Sequence, residues 1–240
     1  MRESVHFIPI ATSVLALAFA MVLGQRYRER GGAHLAWWCA GMVVYAAGTI
    51  TESLTTLLGW SEPVFKAWYI SGALLGGAPL AQGTAYLLLP RRAATRLAMA
   101  VGAVVLIAAI AVVLAPIRPE LVEPHRLSGR VFGWPWVRRF SPFINLYAVT
   151  LLVGGAIVSA WRYRRRHEAR HRFLGNVAIA IGAILPGIGG TFTRFGHVEV
   201  LYVTELIGLI VIWAGYRLNT GSPAPRPRPG WLSSTGAGIT

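Results

Sequence analysis

The sequence predicts an all-α polytopic membrane protein: a bundle of seven transmembrane helices, N-terminus outside and C-terminus in the cytoplasm. Three observations predict it. The 240 residues are 55% hydrophobic and only 13% charged, with mean hydropathy +0.54, a composition of bilayer-embedded rather than water-soluble chains. Seven apolar stretches stand at about 5–24, 34–59, 63–89, 96–115, 142–161, 173–193 and 198–216, close to the ~20 residues that cross a hydrocarbon core. Finally, the basic residues are sided. Those after the first, third, fifth and seventh stretches total fifteen Lys or Arg, against eight in the remaining segments, so the richer side is cytoplasmic.

Taken in order, the first stretch follows the nearly neutral MRESVH and precedes RYRER (26–30), the charge order of a retained N-out anchor rather than a cleaved signal. Aromatic residues mark expected interfaces: Trp37 and Trp38 open the second stretch, Trp60 closes it, Trp68 and Tyr69 follow, and Trp161, Tyr163, Trp213 and Tyr216 lie on the inner side. The third and sixth stretches read as interrupted, by GALLGGAPLAQGT (72–84) and GAILPGIGGTFT (182–193), because proline removes a backbone donor and kinks a helix. The loop from 116 to 141 ends in RVFGWPWVRRF (130–140), expected either to lie in the outer interface or to form a lid over an outward cavity. Residues 1–217 thus read as one transmembrane domain and 218–240, rich in Pro, Gly and Ser, as a disordered cytoplasmic tail. RYRER and RYRRR (162–166) faintly echo one another, which would make helices 1–3 and 5–7 parallel repeats.

Two carboxyls lie deep inside apolar stretches, where a charge costs roughly 2.5–3.5 kcal/mol on insertion scales and is a functional pointer. Glu52 shares a helical face with Gly41, Tyr45, Gly48, Thr49, Thr55, Thr56 and Gly59, a small and polar stripe suited to facing protein. Glu205 shares one with Tyr202, Gly208, Ile212 and Gly215. Both fall about 10–12 Å below the outer boundary at 1.5 Å rise per residue. Arg194, at the outer end of the sixth stretch, is the expected counter-charge, with Lys66 the alternative for Glu52. Gln82 and Asn176 are further polar candidates, for a ligand or as hydrogen-bond glue between helices.

Other chemistries are expected to be absent. His167-Glu168-Ala169-Arg170-His171 matches H-E-x-x-H, but it sits in the most basic loop, where the arginines oppose a dication, so His167 and His171 are at best weak metal candidates. The last stretch has no lysine for a retinal Schiff base, and no pair of histidines lies mid-span for haem. Cys39 is the single cysteine, so no intrachain disulfide can form. The formal charge of +14 sits mostly in short loops, so a nucleic-acid partner is not expected, nor is a cofactor or a catalytic role.

TESLTTLLG (51–59) and VFKAWYISGALLGG (64–77) resemble the seven-helix sensor regions that precede bacterial histidine kinases and related signalling enzymes. The resemblance implies a bacterial cytoplasmic membrane, sensing of a small molecule or of membrane state, and, since no kinase or cyclase domain follows here, a separate cytoplasmic signalling partner. The expected function is therefore non-enzymatic binding of a small or lipidic molecule in an outward-facing pocket. Glu52, Glu205 and Arg194 would form its floor, and segment 132–140 would cover it. A small-solute transporter and a structural subunit of a membrane complex are the alternatives.

Overall fold

Apolar stretches shed the cost of bare backbone groups by closing their hydrogen bonds within helices, and this chain does so almost throughout. The computed structural model describes Val5, residues 7–123, 127–164 and 170–221, apart from the side chain of Arg194. The helices run α1 (Ile8–Arg30), α2 (Ala33–Leu58), α3 (Glu62–Trp68), a π-helical turn (Tyr69–Leu74), α4 (Ala78–Leu88), α5 (Arg91–Leu114), α6 (Phe140–Tyr163), α7 (Arg170–Arg194) and α8 (Val198–Thr220). An isolated antiparallel bridge joins Ile117 and Phe132. Six helices, α1, α2, α5, α6, α7 and α8, are long and apolar enough to cross a membrane, which is compatible with a multi-pass membrane protein. Their outward faces are oily: Leu106, Ile107, Ile110, Val113 and Leu114 of α5 are all exposed.

The third apolar stretch departs from a continuous span, and in the manner its glycines and proline require. After α3 the backbone widens into the π turn, bends at Leu75–Gly77, and restarts with Pro79 in the first turn of α4, where a missing N–H costs nothing. The break frees carbonyls, and a neighbour answers them: Ser141 Oγ and Asn145 Nδ2 on α6 both donate to Ala73 O, at 3.0 and 3.2 Å. The sixth stretch corrects the expectation of an interruption. α7 runs unbroken from Arg170 to Arg194 with Pro186 inside it, because α8 packs along it closely enough to hold the helix together.

That seam is made of glycine. A Cβ on Gly182 would stand 2.6 Å from Gly208 O, and one on Gly208 2.7 Å from Gly182 O. Gly175 and Gly215 repeat the arrangement two turns toward the basic end. Without side chains the two backbones touch, the geometry by which helices associate where no hydrophobic force drives them together. α1 joins through Ser13 Oγ, 2.9 Å from Thr49 Oγ1 of α2, and through Phe19, which stacks on Trp213 of α8 at 5.2 Å.

Several expected interface aromatics turn out to be interior. Tyr216 is 6% exposed, edge-on to Phe19 at 5.3 Å and beneath the Arg26 guanidinium. Tyr69 is buried against Phe65 and Phe132. Trp161 remains at the surface, as a belt residue should. The helices also overrun their apolar stretches into the basic segments, since arginine in a last turn suits the negative end of a helix dipole. The expected tail boundary at 218 shifts accordingly, to beyond Thr220. The rest of that tail, from 222 on, lies outside the described residues.

Replacing Gly182 or Gly208 by Leu should separate α7 from α8 and cost about 1–3 kcal/mol, the range for overpacking. Thermal denaturation in detergent checks this, with Gly102→Leu on α5, where a Cβ meets nothing within 4 Å, as the silent control.

Candidate functional site

The site begins at a crossing of two glycines. A Cβ on Gly48 of α2 would lie 3.3 Å from Gly72 Cα in the π turn, so the two backbones pass in close contact. One helical turn beyond Gly48 is Glu52, and one turn before Gly72 is Trp68. The antiparallel crossing sets them face to face, and Trp68 Nε1 donates to Glu52 Oε1 at 2.9 Å. Glu52 is 4% exposed, and the stripe it belongs to is buried at Gly41, Gly48, Thr49 and Thr55, as its small residues predict.

α8 delivers the second carboxyl. Tyr45 OH donates to the Glu205 carbonyl at 3.2 Å, tying α2 to α8 one turn from the crossing. The Glu205 side chain then faces Glu52, close enough for the two carboxyls to interact. The two residues expected at matched depth thus face one another. Glu52 Oε2 and Glu205 Oε2 are shielded and, among the described residues, have no hydrogen-bond partner.

Both glutamates line a cavity of about 890 Å³. Each lies about 9–10 Å from its own helix end, six residues before Leu58 and seven after Val198 at 1.5 Å per residue. The cavity does not stop there. It continues along α2 to Trp38 and along α8 to Tyr216, so the carboxyls form a waist and not the expected floor. Below them the walls are apolar, from Phe19, Leu23, Met42, Leu80 and Ile212. At the other end Arg130, Arg138 and Arg139 line the mouth and remain exposed.

The loop bearing those arginines is a fixed cap. Phe132 is 1% exposed, 5.0 Å from Phe65 and edge-on to Tyr69 at 4.8 Å. Arg118 N donates to Val131 O at 2.8 Å and Gly133 N to Pro116 O at 2.7 Å, which staples the two arms of the loop together. Trp134 and Trp136 stack on each other at 5.9 Å and stay exposed. In RVFGWPWVRRF, then, Phe132 packs into the core while Trp134 and Trp136 stay exposed.

The other candidates are placed elsewhere. Lys66 pairs with Glu62 at 2.6 Å and donates to Val113 O at 2.8 Å, so it ties α3 to α5 and does not answer Glu52. Gln82 is buried, donating to Ala94 O at 2.8 Å and accepting from Tyr147 OH at 2.6 Å. Asn176 donates to Arg172 O at 2.7 Å and meets Asn219 at 3.5 Å, near the basic end. Neither lines the cavity; both join helices. α7 ends at Arg194 as expected, but its side chain lies outside the described residues. Among the described residues neither glutamate of the waist has an ion-pair partner. His167 and Glu168 also lie outside those residues, and no group of three potential metal ligands occurs within them.

Trp68 is the site residue that sequence reasoning missed, reading it only as an interface aromatic. The available signal was its spacing, one turn before Gly72 and on the face that Gly72 presents to α2. Comparison with protein-family models, with curated proteins and with solved structures returns no match for this chain.

Trp68→Phe should cost about 1–3 kcal/mol by leaving the buried Glu52 Oε1 without its donor. Adding Glu52→Leu should cost less than the sum of the two single changes, and unfolding midpoints of the three variants test that coupling.

Proposed function

We propose that this chain is a non-enzymatic integral membrane protein that binds a small or lipidic molecule in an outward-facing cavity within its helix bundle. It crosses a bacterial cytoplasmic membrane seven times, the broken α3–π–α4 segment serving as the third crossing, with the N-terminus outside and the C-terminus inside. The observation that carries the binding reading is the cavity of about 890 Å³, within the roughly 300–1,000 Å³ of small-molecule sites and lined by apolar walls with a few convergent polar groups. The excess of basic residues at the end opposite its mouth supports the outward orientation. The likeness of segments 51–59 and 64–77 to kinase-associated sensor regions favours sensing, with the signal passed to a cytoplasmic partner.

A second reading, transport of a small solute, is favoured by one observation. Gly72, Gly76 and Gly77 of the broken segment and Pro186, Gly187 and Gly190 of α7 line the same cavity, so both deformable backbones face the bound molecule.

A ligand at a hundred times its Kd should raise the Tm by about 5–10 °C, and Glu52→Gln should reduce that shift. No shift across a broad panel of lipids and metabolites counts against binding, and uptake into proteoliposomes would favour transport. A C-terminal green fluorescent protein fusion should be bright and a C-terminal alkaline phosphatase fusion inactive; the reverse pattern overturns the orientation.

A further inference from the structure

The cavity treats its polar atoms in two different ways. In the lower shaft every polar side chain is already occupied. Trp38 Nε1 donates to Leu80 O at 3.1 Å, Thr84 Oγ1 to the same carbonyl at 3.2 Å, and Tyr216 OH accepts from Arg26 at 3.2 Å. What remains for an occupant there is hydrocarbon, along a shaft of about 21 Å from Glu52 to Trp38, fourteen residues of α2 at 1.5 Å each. At the waist the opposite holds. Glu52, 4% exposed, and Glu205 both line the same space, and among the described residues neither Oε2 has a hydrogen-bond partner. Burying such an acceptor without a donor is costly, so the waist is completed by whatever brings one. A protonated amine brings several and matches the charge.

The mouth adds the third element. Its basic lining residues, Arg130, Arg138 and Arg139, all lie at the loop end, and the two acids of the lining both lie at the waist. A simple cation approaching from outside would meet three guanidiniums first. A molecule with an anionic group outward of its amine meets complementary charge at both levels. We infer that the cavity takes a single-tailed amphiphile whose protonated amine sits at Glu52 and Glu205, whose anionic group sits outward at the arginines, and whose tail fills the apolar shaft. This rests on the binding reading above and names the class of ligand. The order is tail, ammonium, anion, as in an N-alkylated amino acid.

The test uses the full-length protein in phosphatidylcholine nanodiscs, with N-dodecylglycine as probe and dodecanoate and N-acetyl-N-dodecylglycine as partners that keep tail and anion but lack the ammonium. Native mass spectrometry and Tm shifts read binding. N-dodecylglycine should bind about 10- to 100-fold more tightly than either partner, the worth of a charged hydrogen bond. Glu52→Gln and Glu205→Gln should each shrink that preference, and Ala183→Phe, which fills the cavity, should weaken all three probes alike. Equal affinity for the three probes on the unaltered protein overturns the amine assignment and leaves the binding reading standing, as does a preference that survives both Gln variants. Should the Gln variants fail to fold, the comparison of N-dodecylglycine with its N-acetyl analogue still decides. If none of the probes binds and Ala183→Phe changes nothing, both the assignment and the binding reading fall.

Discussion

A carboxyl inside an apolar bundle has to be met by something, and here the helices are placed so that Glu52 is met twice. Trp68 donates to one oxygen at 2.9 Å, and the Glu205 carboxyl faces the side chain. Each contact demands a particular backbone approach. Trp68 reaches Glu52 only because Gly48 and Gly72 let α2 and the π turn touch, and Glu205 arrives only because Tyr45 pins α8 to α2. The expense of the buried acids is what gives these glycine contacts their consequence: a bulkier residue at either would pull apart the groups that make the carboxyls tolerable.

The same economy governs the broken third segment. A π turn and a two-glycine bend leave carbonyls without helical donors, a defect that could not persist against hydrocarbon. Ser141 and Asn145 on α6 close it at Ala73 O, so the break is stabilised by a neighbouring helix, and the broken segment and these donors line the cavity together. Deformation of the backbone, access for a ligand and placement of Trp68 thus share one cause. α7 shows the contrast: its proline lies in a helix clamped along its length by the glycine seam with α8, and no break develops.

Much of this was legible in the residues. Apolar length marked the helices, because a bilayer-sized run has few other uses. The stripe from Gly41 to Thr55 announced a buried face through its three- and four-residue spacing, and Glu52 and Glu205 announced each other through equal depth. What misled was treating residues by type alone. Trp68, Tyr69 and Tyr216 look like interface aromatics by composition; only their neighbours show that Tyr69 and Tyr216 are buried and that Trp68 serves Glu52. Lys66 looked like a partner for Glu52, but Glu62, four residues away on its own helix, is nearer. Gln82 and Asn176 looked equally suited to a ligand or to a neighbouring helix, and the choice between them depended on which helix lay opposite.

The sequence by itself determined the helices, their apolar outward faces, the burial of two acids and the sidedness of charge, since each follows from local pattern and the cost of exposing or burying a group. The tertiary structure alone decided that the acids face one another, that Trp68 completes them, and that they form a waist above an apolar shaft rather than a floor. Those are outcomes of helix crossings, and a crossing is set by the shape of two surfaces at once. One chain read in order shows each surface but not the partner it meets.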